Sequence, residues 1–258
     1  MNVIQAVILG IVEGITEFLP VSSTGHLILV AKLLGLAQTE FQKSFEIAIQ
    51  LGAIFSVILL YRKTLLGGLD IWRRILLAFL PSACIGLVFY KTVKRLLLAN
   101  GTLVLWSLFL GGIFLIIFEM FYQKKGGAKQ EVKSISYAQS IYIGLFQTIA
   151  FIPGVSRAAA TIMGGLILGL ERKAIVEFSF LLAIPTMLAA AGLDLLHEAG
   201  SFTAQDFFLL GIGFLASFFV ATIAVKFLLA FIKRNNFILF GVYRIIIVIF
   251  FWLVWMHK

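Results

Sequence analysis

Charged residues, cysteine and histidine are all scarce in this sequence, and each scarcity excludes a class of protein or of site. Charged residues make up 13% of the chain, about half of their usual share in a soluble domain. Hydrophobic residues make up 61% and the mean hydropathy is +1.07, which excludes an ordinary soluble fold. Cys84 is the only cysteine, so neither an intrachain disulfide nor a cysteine-based metal site can form.

What the sequence does contain is a series of long apolar runs, without the alternating pattern of a transmembrane barrel. It therefore predicts an all-α polytopic membrane protein. The net charge of +9 is typical of many nucleic-acid-binding proteins, but here the basic residues cluster in short segments between apolar runs. There they set the orientation of the chain and contact anionic lipid, so we expect a membrane partner and no nucleic acid. Residues 2–12 lack the features of a cleavable signal sequence.

The apolar runs are of two lengths. Residues 3–17 and 25–36 are each shorter than the ~20 residues that cross the hydrocarbon core. Joined by a turn at Pro20, they predict a helix–loop–helix that enters and leaves on the same side, with a plain span over 3–19 as the alternative. The remaining runs are a second short pair, 137–152 with 156–170, and six full spans at about 42–62, 74–90, 102–122, 173–193, 206–230 and 238–256.

The order of these elements repeats along the chain. Repeat one, about 1–122, and repeat two, about 137–258, each contain one short pair and three spans, with a basic cytoplasmic loop at 123–136. Because each half has an odd number of spans, the second half is expected to be inverted. The prediction is a single membrane domain, 1–258, built as an inverted-topology repeat of six spans plus two re-entrant pairs.

Matching residues in the two halves and the distribution of basic residues both support this arrangement. Residues 10–13 (Gly-Ile-Val-Glu) parallel 144–147 (Gly-Leu-Phe-Gln), and 18–20 (Phe-Leu-Pro) parallel 151–153 (Phe-Ile-Pro). More basic residues fall on the inner side when both termini are outside, although the basic segment 91–101 is then an exception. The first short pair is expected to enter from outside and the second from inside.

Residues 13–26 form a polar stretch that is costly in a membrane. Glu13 and Glu17 lie one turn apart and share a face of the predicted helix. Pro20 ends that helix, and the turn at 22–25 leaves backbone N–H groups free at the start of the next run. Ionisable groups at membrane depth indicate a functional site.

A second polar stretch, 153–161, contains Arg157 in the first turn of an otherwise apolar helix. A guanidinium beside the N–H groups of a helix start is suited to phosphate. The alternative is a structural ion pair with Glu13 or Glu17, and both interpretations hold if substrate displaces a resting pair. Arg157 is flanked in this stretch by Gly154, Ser156 and Thr161.

These two stretches resemble the signatures of the undecaprenyl-diphosphate phosphatase family, the integral-membrane type linked with bacitracin resistance. Its first motif is an acid or Gln, three residues and Glu, continuing into Pro-Val-Ser-Ser-Thr-Gly-His, and residues 13–17 with 20–26 complete it. Its second motif is Pro-Gly-x-Ser-Arg-Ser-x-x-Thr, which 153–161 match except at Ala158, where the family usually has serine. The resemblance extends over the full length of the chain.

The resemblance implies hydrolysis of undecaprenyl diphosphate to undecaprenyl phosphate and inorganic phosphate, which recycles the lipid carrier for peptidoglycan. It also implies a bacterial inner (plasma) membrane protein with its pocket on the outer side, and a divalent cation, Mg²⁺ or Ca²⁺. The sequence is also compatible with a homodimer.

Cleavage of a diphosphate needs a nucleophile, neutralisation of phosphoryl charge and correct positioning. Glu13 and Glu17 are predicted to supply oxygen ligands for the cation, or one of them is a base instead. Arg157 is predicted to bind the phosphate oxygens. Further phosphate contacts are expected from Gly154, Ser156, Thr161, Ser22 and Thr24.

For the nucleophile we favour Ser23 with His26 as its base. The alternatives are direct attack by His26, water activated by metal, and Ser22 in place of Ser23. Phosphatases that use one histidine as nucleophile and another as acid need two at the site. His197 lies in a predicted outer loop and His257 at the tail, so His26 is expected to act alone.

Several further polar residues lie outside the two motifs. Gln147 matches Glu13 in the repeat and is predicted to line the same cavity, with an interhelical hydrogen bond as the alternative. Glu46 and Gln50 are predicted to support the site from behind or to be hydrated. Residues expected to pair or to extend to the membrane surface at span ends are Glu119, Glu177, Lys226 and Arg244.

The main rival function is a transporter or flippase of a lipid phosphate, because inverted repeats with broken helices are a transporter plan. Carrying an anion needs cations and N–H groups but no nucleophile, so the combination of acids, serine and histidine favours catalysis. A structural scaffold does not explain buried ionisable residues.

Overall fold

The computed structural model of the protein describes residues 1–37, 39–88, 101–122 and 131–256. Three parts of the chain that the sequence interpretation used lie wholly or mostly outside the described residues. They are the basic segment at 91–101, the first part of the loop at 123–136, and His257.

Every regular element in the described part of the chain is helical. Short 3₁₀ turns lie at Val132–Ser134, Thr148–Phe151 and Ala199–Ser201. The α-helices are α1 (Val3–Thr16), α2 (Ser23–Leu33), α3 (Glu40–Leu60), α4 (Arg62–Leu65), α5 (Leu69–Val88), α6 (Gly101–Phe121), α7 (Tyr137–Gln147), α8 (Arg157–Ile167), α9 (Arg172–Glu198), α10 (Ala204–Phe231) and α11 (Ile238–Met256).

Five of these helices, α3, α5, α6, α9 and α10, are long and apolar enough to cross a membrane. The remaining predicted span corresponds to α11, which has 19 residues. The class of polytopic α-helical membrane protein is therefore confirmed. The start of α5 was predicted too late in the chain, because Leu69 and Asp70 already belong to its first turn.

Helices α1 and α2 form a short first hairpin. Asn2 caps α1 in a reciprocal capping box with Gln5, and the 14-residue helix ends at Thr16, ~21 Å from its start. Pro20 lies in the following turn, where its missing N–H is not needed for a helix. Gly35, with φ of 68°, follows α2 in the left-handed conformation that commonly ends helices.

Helices α7 and α8 form a second hairpin, with the same type of cap at its start and the same type of glycine at its end. Ser136 and Gln139 make a capping box at the start of α7, and Gly169, with φ of 80°, follows α8. The arms of each hairpin are also joined in the same way at their open end. Gln5 Nε2 donates to Leu34 O at 3.3 Å, and Gln139 Nε2 donates to Leu168 O at 3.4 Å.

Each hairpin packs on a span from the other half of the sequence. Helix α1 packs on α10, and α7 packs on α5. Glycines allow this close approach: a Cβ atom added at Gly14 would lie 2.7 Å from Ser217 O, and one at Gly144 only 2.1 Å from Ala78 O. Small residues at helix contacts are the usual solution in membranes, because packing replaces the hydrophobic driving force.

The open ends of the two hairpins lie at opposite ends of the helix bundle. The first packs near Phe41 and Phe202, which lie at the starts of α3 and α10. The second lies near the start of α5, where Tyr137 Oη donates to Asp70 Oδ1 at 2.6 Å. Since α3 and α5 are joined by a short connection, the start of α5 lies at the opposite end from the start of α3.

A buried ion pair joins three elements at the end of the bundle where α6 stops. Arg172 contacts Glu119 through both terminal nitrogens, with Nη2 to Oε2 at 2.9 Å. The backbone N–H of Phe237 donates to Glu119 Oε1 at 3.1 Å. The prediction that Glu119 pairs near a span end is confirmed.

Candidate active site

The tips of the two hairpins meet and enclose a polar cavity of about 90 Å³. The two polar stretches of the sequence therefore form one site. Gln50, which was predicted to support the site from behind, is itself part of the lining, and Ala150 and Met187 were not predicted at all. The lining residues are Glu17, Ser22, Ser23, Thr24, Gln50, Ala150, Gly154, Ser156, Arg157 and Met187.

The carboxylate of Glu17 joins the two hairpins. Glu17 directly follows α1, and its side chain is only 3% exposed. Its Oε2 atom accepts a hydrogen bond from Ser23 Oγ at 2.5 Å, and its Oε1 atom accepts one from Arg157 Nη2 at 3.1 Å. One carboxylate therefore contacts both a hydroxyl and a guanidinium, which is an arrangement that can activate the hydroxyl as a nucleophile.

Arg157 is held firmly at the start of α8. Its Nη1 atom donates to Ser179 O at 2.7 Å, whereas its buried Nε atom has no partner within the protein. Ser23 and Arg157 are the first residues of α2 and α8. The first turns of both helices therefore lie at the cavity, where their N–H groups and dipoles favour an anion.

Ser22 and Ser156, the N-caps of these two helices, have left-handed backbone conformations, with φ of 72° and 80°. They are the only non-glycine residues with positive φ in the described part of the chain. Such conformations cost about 1–3 kcal/mol and cluster at functional sites. The serine hydroxyls accept from Gly25 N at 3.4 Å and Ala159 N at 3.2 Å. Serine is not a typical residue for positive φ, so the sequence predicted the turn at 22–25 but not its left-handed backbone.

The prediction that His26 is the base for Ser23 is wrong in its geometry. Both imidazole nitrogens are held elsewhere, with Nδ1 2.8 Å from Ser22 O and Nε2 2.8 Å from Tyr243 Oη. His26 also does not line the cavity. Ser23 donates to Glu17 instead. The spacing of three residues along α2 is compatible with a Ser–His pair. Local spacing cannot predict that Tyr243, on α11, contacts the imidazole instead.

Thr161 was predicted to contact phosphate and does not line the cavity. Its side chain is fully buried, and its Oγ1 atom donates to Arg157 O at 3.0 Å. The Ser179 hydroxyl lies 2.6 Å from the same oxygen. Thr161 therefore ties the first turn of α8 to α9, beneath the site.

Gln147 and Glu46 also lie outside the cavity lining. Gln147 Nε2 donates to Ser82 Oγ at 2.7 Å and to Thr186 Oγ1 at 3.2 Å. Gln147 therefore makes the interhelical hydrogen bonds of the alternative prediction. Glu46 is buried and accepts a hydrogen bond from Gln42 Nε2 at 2.9 Å, so it is not simply hydrated.

Glu13 lies one turn before Glu17 and is fully buried. Neither of its carboxylate oxygens has a hydrogen-bond donor, and a bond to Glu17 would require a proton on one of the two carboxylates. Orphaned carboxylate oxygens of this kind fit a hard divalent cation. No cluster of three or more His, Cys, Asp or Glu side chains occurs within the described ranges. A cation here would thus need ligands from phosphate and water as well.

The prediction that Arg244 lies at a span end is wrong. Its side chain is 1% exposed, and its Nη2 atom donates to the carbonyls of Gly154 and Val155, each at 2.7 Å. It therefore holds the turn that precedes α8. A single arginine in the middle of the apolar run at 238–256 was a signal that could have found it.

The chain is similar to known proteins over nearly its whole length. Residues 6–250 match the family described as bacitracin resistance protein BacA. The undecaprenyl-diphosphatase of Wolinella succinogenes is 51% identical over 97% of both chains. Those of Aquifex aeolicus and Persephonella marina are 52% identical over 94% and 49% identical over 96% of both chains. The chain belongs to the bacitracin resistance protein BacA family.

Proposed function

We propose that this protein hydrolyses undecaprenyl diphosphate to undecaprenyl phosphate and inorganic phosphate. It is a polyprenyl-diphosphate phosphatase that returns the lipid carrier to cell-wall synthesis. The observation that carries the proposal is the contact of Glu17 with both Ser23 and Arg157, across the two hairpins. Relatives of about half identity over nearly the whole chain bear the name of this activity.

In the first step, Ser23 Oγ attacks the terminal phosphorus while its proton passes to Glu17 Oε2. The bond from that phosphorus to the bridging oxygen breaks, and undecaprenyl phosphate leaves with the proton from Glu17. Water then attacks the phosphoserine, and Glu17 accepts one of its protons. Inorganic phosphate leaves as this proton returns to Ser23 Oγ.

Arg157 neutralises the charge on the phosphoryl oxygens. Its Nε atom has no protein partner, so it is available to phosphate, and Nη2 is shared between phosphate and Glu17. The ion pair between Arg157 and Glu17 is thus partly replaced by contacts with phosphate when substrate binds. Hydroxyl and N–H groups around the cavity add further contacts, from Ser22, Thr24, Gly154 and Ser156.

A divalent cation, Mg²⁺ or Ca²⁺, is proposed at Glu13 and Glu17. The support is the pair of buried Glu13 oxygens that lack donors. Such ions commonly take one or two carboxylates, with phosphate oxygens and water completing the shell. When bound, the ion supplies additional neutralisation of phosphoryl charge.

A transporter or flippase of a lipid phosphate is not favoured. Carriage of an anion needs cations and N–H groups, but it has no use for a hydroxyl hydrogen-bonded to a carboxylate. The contact between Ser23 and Glu17 is therefore explained by hydrolysis and not by transport.

The finer architecture is also a proposal: two re-entrant hairpins within an inverted repeat, about 1–122 and 137–258. Two observations support it. The hairpin of each half packs on a span of the other half, and the open ends of the two hairpins lie at opposite ends of the bundle. Equivalent capping and turn residues recur at a constant spacing in the two halves, at Gln5 and Gln139, Ser22 and Ser156, and Gly35 and Gly169.

We further propose that the protein lies in the bacterial plasma membrane with the cavity open to the outer side. The distribution of basic residues supports this orientation. A substrate whose diphosphate is exposed at the outer surface then reaches the first hairpin directly.

The function is tested by phosphate release from a polyprenyl diphosphate, with protein purified in detergent. Ser23→Ala and Glu17→Gln are expected to lower kcat about 10²- to 10⁴-fold, and Arg157→Ala about 10²- to 10³-fold or more. Glu40→Gln, an exposed carboxylate paired with Lys43, is the matched control and should retain activity. Full activity in Glu17→Gln would contradict the mechanism, and no release by the unaltered protein would contradict the function.

A further inference from the structure

One residue outside both motifs contacts the histidine of the first. Tyr243 lies on α11, next to Arg244, and its Oη atom is 2.8 Å from His26 Nε2. The two rings are nearly parallel, at 4°, with centroids 5.5 Å apart. Tyr243 is 40% exposed whereas His26 is 5% exposed, so the phenol covers the imidazole at the edge of the protein.

These contacts determine the tautomer of His26. The Ser22 carbonyl has no hydrogen to offer, so Nδ1 of the imidazole must carry the proton that bonds it. Nε2 of the neutral ring then accepts from the Tyr243 hydroxyl. A neutral ring has one donor and one acceptor nitrogen, which matches the carbonyl at Nδ1 and the hydroxyl at Nε2.

The hydrogen bond at Nδ1 acts on the backbone that carries the nucleophile. Ser22 O accepts from His26 Nδ1 at 2.8 Å and also from the His26 backbone N–H at 3.2 Å. This carbonyl belongs to the peptide that links Ser22, with its left-handed φ, to Ser23. The imidazole therefore holds a strained peptide in place, directly before the residue that contacts Glu17.

We propose that Tyr243 is a positioning residue: it holds His26 as the Nδ1–H tautomer, and His26 in turn holds the Ser22–Ser23 peptide. His26 then serves to position Ser23 and is neither a base nor a nucleophile. The proposal rests on the proposed function, because it assigns Ser23 as the group that attacks.

The first experiment compares kinetics of phosphate release from a polyprenyl diphosphate. Tyr243→Phe is expected to lower kcat about three- to tenfold, the effect of one hydrogen bond, with KM changed less than about twofold. In a His26→Ala background the same change should cause no further loss. Tyr142→Phe, an exposed tyrosine on α7, is the control and should match the unaltered protein.

A conservative replacement separates positioning from chemistry at His26. The amide nitrogen of His26→Asn occupies nearly the place of Nδ1 and donates to the same carbonyl, but it cannot act as a base or nucleophile. His26→Asn should therefore retain clearly more activity than His26→Ala. Equal inactivity of the two variants would overturn the assignment of His26.

The tautomer is measured directly by ¹⁵N NMR of the imidazole. Replacing His197 and His257 by Gln leaves His26 as the only histidine. The spectrum should show the Nδ1–H form in the parent and a shift away from it in Tyr243→Phe. An unchanged spectrum, or additive losses in the double variant, overturns the proposal. This readout needs no substrate, so it stands even if the parent protein releases no phosphate and the proposed function fails.

Discussion

At the scale of single residues, the site depends on how Arg157 divides its nitrogens. Nη1 is committed to the Ser179 carbonyl and Nη2 to Glu17, while Nε has no protein partner. A planar guanidinium can make these separate contacts in fixed directions, whereas an ammonium is a single point charge. The cavity therefore requires the planar guanidinium at this position, and a positive charge alone is not sufficient.

We predict that Arg157→Lys will be nearly as inactive as Arg157→Ala, with a loss in kcat/KM of about 10²-fold or more. The lysine ammonium cannot bond the Ser179 carbonyl and Glu17 while also binding phosphate. The measurement is steady-state phosphate release with both variants at matched concentrations of folded protein. Recovery of most activity by Arg157→Lys would show that only the positive charge matters.

At the scale of elements, the two hairpins depend on glycines where they meet a span. Helix α7 passes so close to α5 that a Cβ atom at Gly144 would lie 2.1 Å from the Ala78 carbonyl oxygen. The main chain of α5 cannot yield as a flexible side chain would. The approach of α7 to α5 is therefore set by the absence of a side chain at one residue.

We predict that Gly144→Ala will destabilise the protein by about 1–3 kcal/mol, the cost of overpacking. Gly211→Ala on α10 is the matched control, because nothing lies within 4 Å of its added Cβ atom, and alanine favours a helix. Thermal unfolding in detergent measures both. A Tm for Gly144→Ala equal to that of Gly211→Ala would contradict the packing.

At the scale of the whole molecule, the halves are joined at two levels. The cavity joins them through Glu17 and Arg157, and the end of the bundle joins them through Glu119 and Arg172. The second pair also receives the backbone N–H of Phe237. It therefore holds the starts of α9 and α11 against the end of α6.

We predict that Glu119→Gln will lower stability by up to about 3 kcal/mol, because removing one member of a buried pair leaves the other uncompensated. Arg172 keeps some exposure, at 17% of its side chain, which limits the loss. Glu40→Gln breaks an exposed pair and should cost less than about 1 kcal/mol. Equal unfolding midpoints in an SDS titration would show that the buried pair contributes nothing.

The orientation of the whole molecule gives a further prediction. In a Cys84→Ser background, Gly200→Cys, between α9 and α10, should react with a membrane-impermeant maleimide in intact cells. Leu66→Cys, in the connection before α5 and 85% exposed, should react only after permeabilisation. The reverse pattern would place the cavity on the inner side.

Much of this protein was predictable because it depends on neighbours in the chain. Apolar run length identified the membrane helices, and the turns at Pro20 and Pro153 separated the short arms. The carboxylates, serines and arginine of the two motifs were found because such groups are costly in a membrane. These features follow from composition and from spacings of a few residues, which the sequence by itself determines.

The partners of the site residues were decided only by the tertiary structure. The contact between His26 and Tyr243 joins residues 217 positions apart, and the contact between Arg244 and Gly154 joins residues 90 apart. Helical spacing placed His26 near Ser23 but could not show which groups would reach its nitrogens first. Most buried hydrogen-bonding atoms are paired, and which partner each atom finds depends on how the helices pack.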